Sequence, residues 1–202
     1  PPRSTLFPYT TLFRSQKEDN YKLVTWYLLM KASYGLNKIE ESREMARNVL
    51  QSDPQSTYVK HVFSCLGDMF VDEGKYPAAL RMYLRARALQ SDELFLEKID
   101  QRIMNTLKVN ISLPRVDEML SVEFDLQNRS ILLLTKAYGA IYAGQPDDGA
   151  QTLSGINIDN VPDRYFDFYE ELLLATYHPP RKNITIGRSE EHTSELQSRA
   201  YL

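Results

Sequence analysis

The stretch FSCLGDMFVDEGKYPAALRMYLRA, residues 63–86, decides the fold. Phe63, Leu66 and Phe70 recur at three- and four-residue steps, and so do Tyr76, Ala79, Tyr83 and Ala86. That is the period of an α-helix with one buried face. Gly74 stands between the two runs, where the chain has to reverse. The spacing predicts one helix over 57–72, a turn at Gly74 and a second helix over 76–90. Gly67 and Ala79 carry almost no side chain, so the two helices can approach closely, while Phe63, Phe70 and Tyr83 fill the wedge between this hairpin and the next. These residues, with Leu66 and Ala86, are therefore expected to be largely buried.

The preceding segment follows the same plan. Leu23, Trp26, Tyr27, Leu29, Met30 and Tyr34 keep helical spacing over 21–35, Asn37 and Lys38 interrupt it, and a second helix is expected over 39–51 with Ile39, Met45, Val49 and Leu50 inward. Asp53-Pro54 closes it, because the residue before a proline is pushed out of the helical region. A shift of 37 residues lays Trp26 on Phe63, Leu29 on Leu66, Ile39 on Tyr76 and Ser42 on Ala79. Both hairpins resemble the tetratricopeptide repeat (TPR), a helical pair of about 34 residues with an aromatic, a Leu-Gly pair and a second aromatic on its first helix and a small residue, an aromatic and a late alanine on its second. The first hairpin departs from that pattern at Met30, at Ser33 and in three extra linker residues.

The resemblance implies an all-α fold, a TPR-like α-solenoid of antiparallel helical hairpins. It also implies a concave groove lined by the first helix of each hairpin. The groove positions fall on Tyr27, Lys31 and Tyr34, and on His61, Ser64, Asp68 and Asp72. Aromatic and charged side chains on such a face suit an extended peptide or a partner helix.

Two hairpins do not stand alone, since each buries its apolar face against a neighbour. Further helices are expected over 94–107, over 116–126 beyond Pro114, over 130–143, around Ala150 and over 163–176. The organisation read from the chain is a tail (1–15), two TPR-like hairpins (16–92), further degenerate helical repeats (93–178), a linker with one strand (179–187) and a second tail (188–202). Residues 5–15 and 188–198 resemble translated sequencing adapters and are set apart from the fold. Residues 182–187, KNITIG, alternate like a strand after His178-Pro179-Pro180. That run is similar to the opening of a type I periplasmic ligand-binding domain, and helical repeats ahead of such a domain are the architecture of penicillin-binding-protein activator lipoproteins.

The composition narrows function by exclusion. The 202 residues are 43% hydrophobic and 25% charged, with a formal net charge of -3, which gives no clustered positive footprint for nucleic acid. No apolar run approaches the roughly 20 residues a membrane helix needs. The single cysteine, Cys65, cannot form an internal disulfide, and no Cys/His spacing suits zinc. His61 stands one helical turn before Cys65, but a buried thiol beside a surface histidine is the simpler reading. Gly139, Gly144 and Gly149 follow no strand and form no phosphate loop. Arg81, Arg85 and Arg87 around Tyr83 read either as a grip for an acidic partner or as a solvated helix face, and the aromatics of 165–169 as a docking patch or as core. No catalytic, cofactor or metal site is expected. The expected function is a non-catalytic scaffold for protein or peptide segments, among them a cell-envelope enzyme, placed in the periplasm or anchored to the outer membrane. The alternative is a cytoplasmic peptide-binding adaptor.

Overall fold

A computed structural model describes residues 21–89, 92–109 and 111–178, and of residues 8–20 the helical backbone alone. It is all-helical, with no strand among the described residues. Nine α-helices follow one another there: α1 (Pro8–Gly35), α2 (Ile39–Ser52), α3 (Val59–Asp72), α4 (Tyr76–Ala88), α5 (Glu93–Leu107), α6 (Leu113–Val122), α7 (Leu126–Tyr142), α8 (Pro146–Ser154) and α9 (Phe166–Tyr177). Short 3₁₀ turns at Ile158–Asn160 and Asp163–Tyr165 lead into α9. Helix α1 starts inside the stretch set apart as a tail. The expected strand at 182–187 lies outside the described residues, as do the tail positions Phe7 and Leu196 and the side chain of Phe13.

Apart from α5 and α6, helices adjacent in sequence pack on one another, most closely α1 on α2, α3 on α4 and α7 on α8. These three hairpins turn on the same backbone geometry. The second residue after each first helix is left-handed: Asn37 at φ 59°, Gly74 at 69° and Gly144 at 84°. At each turn that residue's N–H donates to the carbonyl three residues back, and the next N–H donates to the carbonyl five back: Asn37 to Tyr34 and Lys38 to Ser33, Gly74 to Val71 and Lys75 to Phe70, Gly144 to Ile141 and Gln145 to Ala140. This pairing satisfies carbonyls that a helix end would otherwise leave open. Five residues after each turn residue comes a buried small residue, Ser42, Ala79 or Gly149. The register thus extends to α7–α8, where the sequence pattern alone had shown only a general plan.

The helix interfaces exchange bulk across the pair. In α3 and α4, Gly67 lies under the Tyr83 ring so closely that a Cβ there would stand 2.3 Å from the nearest ring carbon. At the corresponding positions the first hairpin has Met30 and Ala46, both buried, with the large residue on the first helix instead. Ser42 Oγ donates to the Met30 carbonyl at 2.8 Å and so satisfies its own buried hydroxyl.

The apolar interior divides at α3. Val62, Cys65 and Met69 join Leu23, Met30, Ala46 and Val49 in one cluster, while Phe63, Phe70 and Val71 pack on a larger one running from α4 to α9. Phe63, Leu66 and Phe70 are half-buried rather than buried, unlike Ala79, Tyr83 and Ala86. At the two aromatics the neighbouring helices contribute a cation as well as apolar contacts: the Phe63 ring is met by the Arg85 guanidinium of α4 at 5.8 Å and the Phe70 ring by that of Arg43 of α2 at 5.5 Å. The larger cluster contains a buried ion pair, Arg87 Nε to Asp100 Oδ1 at 2.9 Å, and the Tyr165 hydroxyl donates to the same oxygen at 3.0 Å. Arg87 therefore belongs to the interior, and so do Tyr165 and Phe168, with Phe166 and Tyr169 packed against them. Burial, and then the Asp100 carboxylate, hold the Tyr165 hydroxyl well above its usual range.

Candidate functional site

Helices α1, α3 and α5 line an open cavity of about 400 Å³. Six of the seven groove positions expected from the sequence line it: Tyr27, Lys31, Tyr34, His61, Ser64 and Asp68. Asp72 does not, but its carboxylate accepts the Tyr34 hydroxyl at 2.6 Å and holds that ring at the rim. Burial and then this bond push the Tyr34 hydroxyl upward, so it stays a donor.

The third wall, α5, was not among the expected positions. Asp92 caps it, its carboxylate accepting the Phe95 N–H at 2.9 Å, and this bond is the main cause of its lowered pKa. The cap fixes the start of α5 beside α3, where Phe95 meets His61 edge-on with ring centroids 5.0 Å apart. His61 in turn lies 6.0 Å from Tyr27, which stacks at a tilt on Tyr58 at 4.9 Å. Tyr27, His61 and Phe95 are spaced 34 residues apart, and so are Tyr34, Asp68 and Arg102. That step, carried once more along the chain from His61 and Asp68, was the signal that could have found the third wall.

The charges of the groove fall into two groups. Every carboxylate in or beside it is already engaged. Asp68 accepts Arg102 through both oxygens, at 2.8 and 3.2 Å, and also the Tyr83 hydroxyl at 2.8 Å. Asp92 faces Lys60 at 3.5 Å, and Asp72 holds Tyr34. Lys31 and Lys98, by contrast, have no carboxylate partner among the described residues; Lys31 Nζ stands 5.9 Å from the Tyr27 ring centre. The uncompensated charge of the groove is positive. Burial, followed by Lys60 and Lys31, lowers the His61 pKa, so this ring is neutral at pH 7 and offers an aromatic surface. Asp68 thus acts inside the wall, joining α3, α4 and α5, and is not a free carboxylate presented to a ligand.

Cys65 lies against the groove but is buried, and burial followed by the nearby Asp68 charge pushes its thiol up to about 11. A protonated, enclosed thiol is a poor nucleophile, and His61 has a ring partner in Phe95 instead. Among the described residues no group of three His, Cys, Asp or Glu could hold a metal ion, and no helix is long and apolar enough to cross a membrane. No protein-family model, no curated protein and no solved structure matches the chain.

Proposed function

We propose that the chain is a TPR-like helical-repeat module, non-catalytic, whose groove between α1, α3 and α5 holds an extended, acidic protein segment. The carrying observation is the charge balance of that groove: its carboxylates are satisfied from within, while Lys31 and Lys98 are not. A segment with carboxylates spaced along an extended backbone would meet the two lysines, and its apolar side chains would rest on Tyr27, His61 and Phe95. The repeat reading is supported by the three equivalent hairpin turns. The resemblance at 182–187 favours a place in the cell envelope ahead of a ligand-binding domain, with an envelope enzyme as partner. A cytoplasmic peptide-binding adaptor is the alternative, and the groove chemistry is the same in both.

The test is fluorescence anisotropy with the labelled peptide Glu-Leu-Asp-Phe-Glu-Leu-Asp and its Gln/Asn counterpart. Binding of the acidic peptide that weakens with salt, and that falls at least about tenfold in Lys31→Glu/Lys98→Glu, is expected. Equal binding of the neutral peptide, or an unaltered affinity in the double variant, would remove the groove from consideration.

A further inference from the structure

His61 of α3 stands between the two flanking walls of the groove. Its ring lies 6.0 Å from that of Tyr27 on α1 and meets Phe95 of α5 edge-on at 5.0 Å. These ring contacts place the imidazole without using its nitrogens. Neither nitrogen has a hydrogen-bond partner among the described residues, and neither is sealed from solvent. The groove thus holds a fixed group whose proton-binding atoms stay open to a ligand.

The charges facing this ring come from three helices. Lys60 precedes it on α3, Lys31 faces it from α1, and Asp92 faces it from the cap of α5. Lys98 and Arg102 of α5, Asp68 and Cys65 of α3 and Tyr34 of α1 share the lining, to which no residue of α2 or α4 contributes. Asp68 and Arg102 neutralise one another, and Asp92 is met by Lys60. In the free chain, protonating His61 therefore adds a cation beside Lys31 and Lys60. Burial, and then these two lysines, hold its pKa below the usual 6.5. A carboxylate lying beside Lys31 reverses the balance: it neutralises one repelling charge and offers an acceptor to an imidazolium N–H, a charge-assisted bond stronger than the one neutral imidazole makes. Apolar side chains of a segment rest on ring faces, whereas the nitrogens lie at the ring edge, so one segment can make both contacts.

We propose that the groove takes up a proton when it takes up its ligand: His61 becomes an imidazolium against a carboxylate of the acidic segment, and the segment is held more tightly as pH falls from neutral towards about 5.5. This regulation rests on the acidic-segment reading of the groove. The proton comes from the buffer, and the coupling is reciprocal, so the factor by which the segment raises the proton affinity of His61 is also the factor by which protonation raises affinity for the segment. Aspartate and glutamate side chains, with ordinary values near ~4, stay largely ionised over this range and do not supply the effect.

The experiment is the anisotropy titration with Glu-Leu-Asp-Phe-Glu-Leu-Asp at about pH 7.5, 6.5 and 5.5 and constant ionic strength, on the full chain and on His61→Gln. Affinity should rise at least about threefold across the series in the wild type and stay level in the variant. Proton NMR of the His61 ring, read in the unaltered protein, should show it titrating at a higher pH with the peptide bound than without it. A wild-type affinity that stays level or falls towards low pH, an equal rise in His61→Gln, or a ring midpoint unmoved or lowered by the peptide each overturn the proton linkage. Each leaves the acidic-segment reading standing where binding still weakens with salt and in Lys31→Glu/Lys98→Glu. No binding of the peptide at any of the three pH values removes that reading and the linkage with it.

Discussion

Replacing Gly67 by alanine isolates the packing on which the hairpin depends, because two effects of opposite sign compete at that position. Alanine in a helix interior is favoured over glycine by about 1 kcal/mol through propensity alone. Against this, the new Cβ would stand 2.3, 2.5 and 2.8 Å from three carbons of the Tyr83 ring, distances at which one of the two must move. The ring cannot swing freely: it is 2% exposed, and its hydroxyl is tied to Asp68. Overpacking of this kind costs about 1–3 kcal/mol, and displacement of the hydroxyl from the carboxylate adds about 1.5–3 kcal/mol. The net expectation is destabilisation by about 1.5–5 kcal/mol, and Gly67→Leu should do at least as much. At about 2–4 °C per kcal/mol for a chain of this size, the melting midpoint by circular dichroism should fall several degrees. Gly35→Ala, in the last turn of α1 with nothing within 4 Å of its new Cβ, serves as the control and should be neutral or slightly stabilising. Trimming the ring in Gly67→Ala/Tyr83→Leu should recover most of the packing loss relative to Tyr83→Leu alone. A raised midpoint in Gly67→Ala would mean that propensity wins and that the close approach of α3 and α4 is wrong.

Other perturbations follow from single contacts. Asp100→Ala leaves Arg87 buried without its anion and should cost about 3–5 kcal/mol in urea unfolding, far more than Asp100→Leu paired with Arg87→Met. Asp125→Ala removes the acceptor of the Asn128 N–H at the start of α7 and should cost about 0.5–2 kcal/mol, read from the same unfolding curves. His61 titrates below its usual 6.5 in the folded chain, so between the folded and unfolded pKa the unfolded state binds more protons. Its contribution to stability is present above the unfolded value and is lost as pH falls through the folded one; His61→Gln should flatten the stability profile in that acidic window, and an identical slope in wild type and variant would contradict the burial of this ring.

How much of this was legible in the sequence depends on which residues announce themselves. Gly74 and Pro54 punctuate the chain, and the helices they bound lie within a residue or two of the expected limits. Pro114 misled: it reads as a separator but sits inside the first turn of α6, where a missing N–H costs nothing because the first-turn donors have no intrahelical partner anyway. The third hairpin was hidden because its joint uses Ala137 and Leu153 where the second uses Gly67 and Tyr83, a pairing that fills the same space with an unremarkable pattern. The α5 wall was hidden for a different cause. Phe95 is one apolar residue among several in its helix, and only its position 34 residues after His61 sets it apart. Asp68 could be placed on the groove face from spacing, but its engagement with Arg102 is a tertiary contact that spacing does not carry.

That engagement couples stability to the proposed recognition. Asp68 joins the hydroxyl of Tyr83, whose ring closes the α3–α4 joint, to Arg102, which brings α5 against the groove. An alanine at Asp68 therefore strands a half-buried guanidinium and a buried phenol together, and loss of ligand binding in that variant would report a moved α5 wall rather than a lost contact. Lys31 has no such second role: its charge has no carboxylate to neutralise within the described chain, and exposed substitutions away from packed features usually change stability by under about 0.5 kcal/mol. The two positions should then separate in one pair of measurements. Lys31→Ala should weaken capture of an acidic peptide at an unchanged melting midpoint, whereas Asp68→Ala should lower the midpoint first and the affinity with it; a stable Asp68→Ala chain with weakened binding would make Asp68 a ligand contact after all.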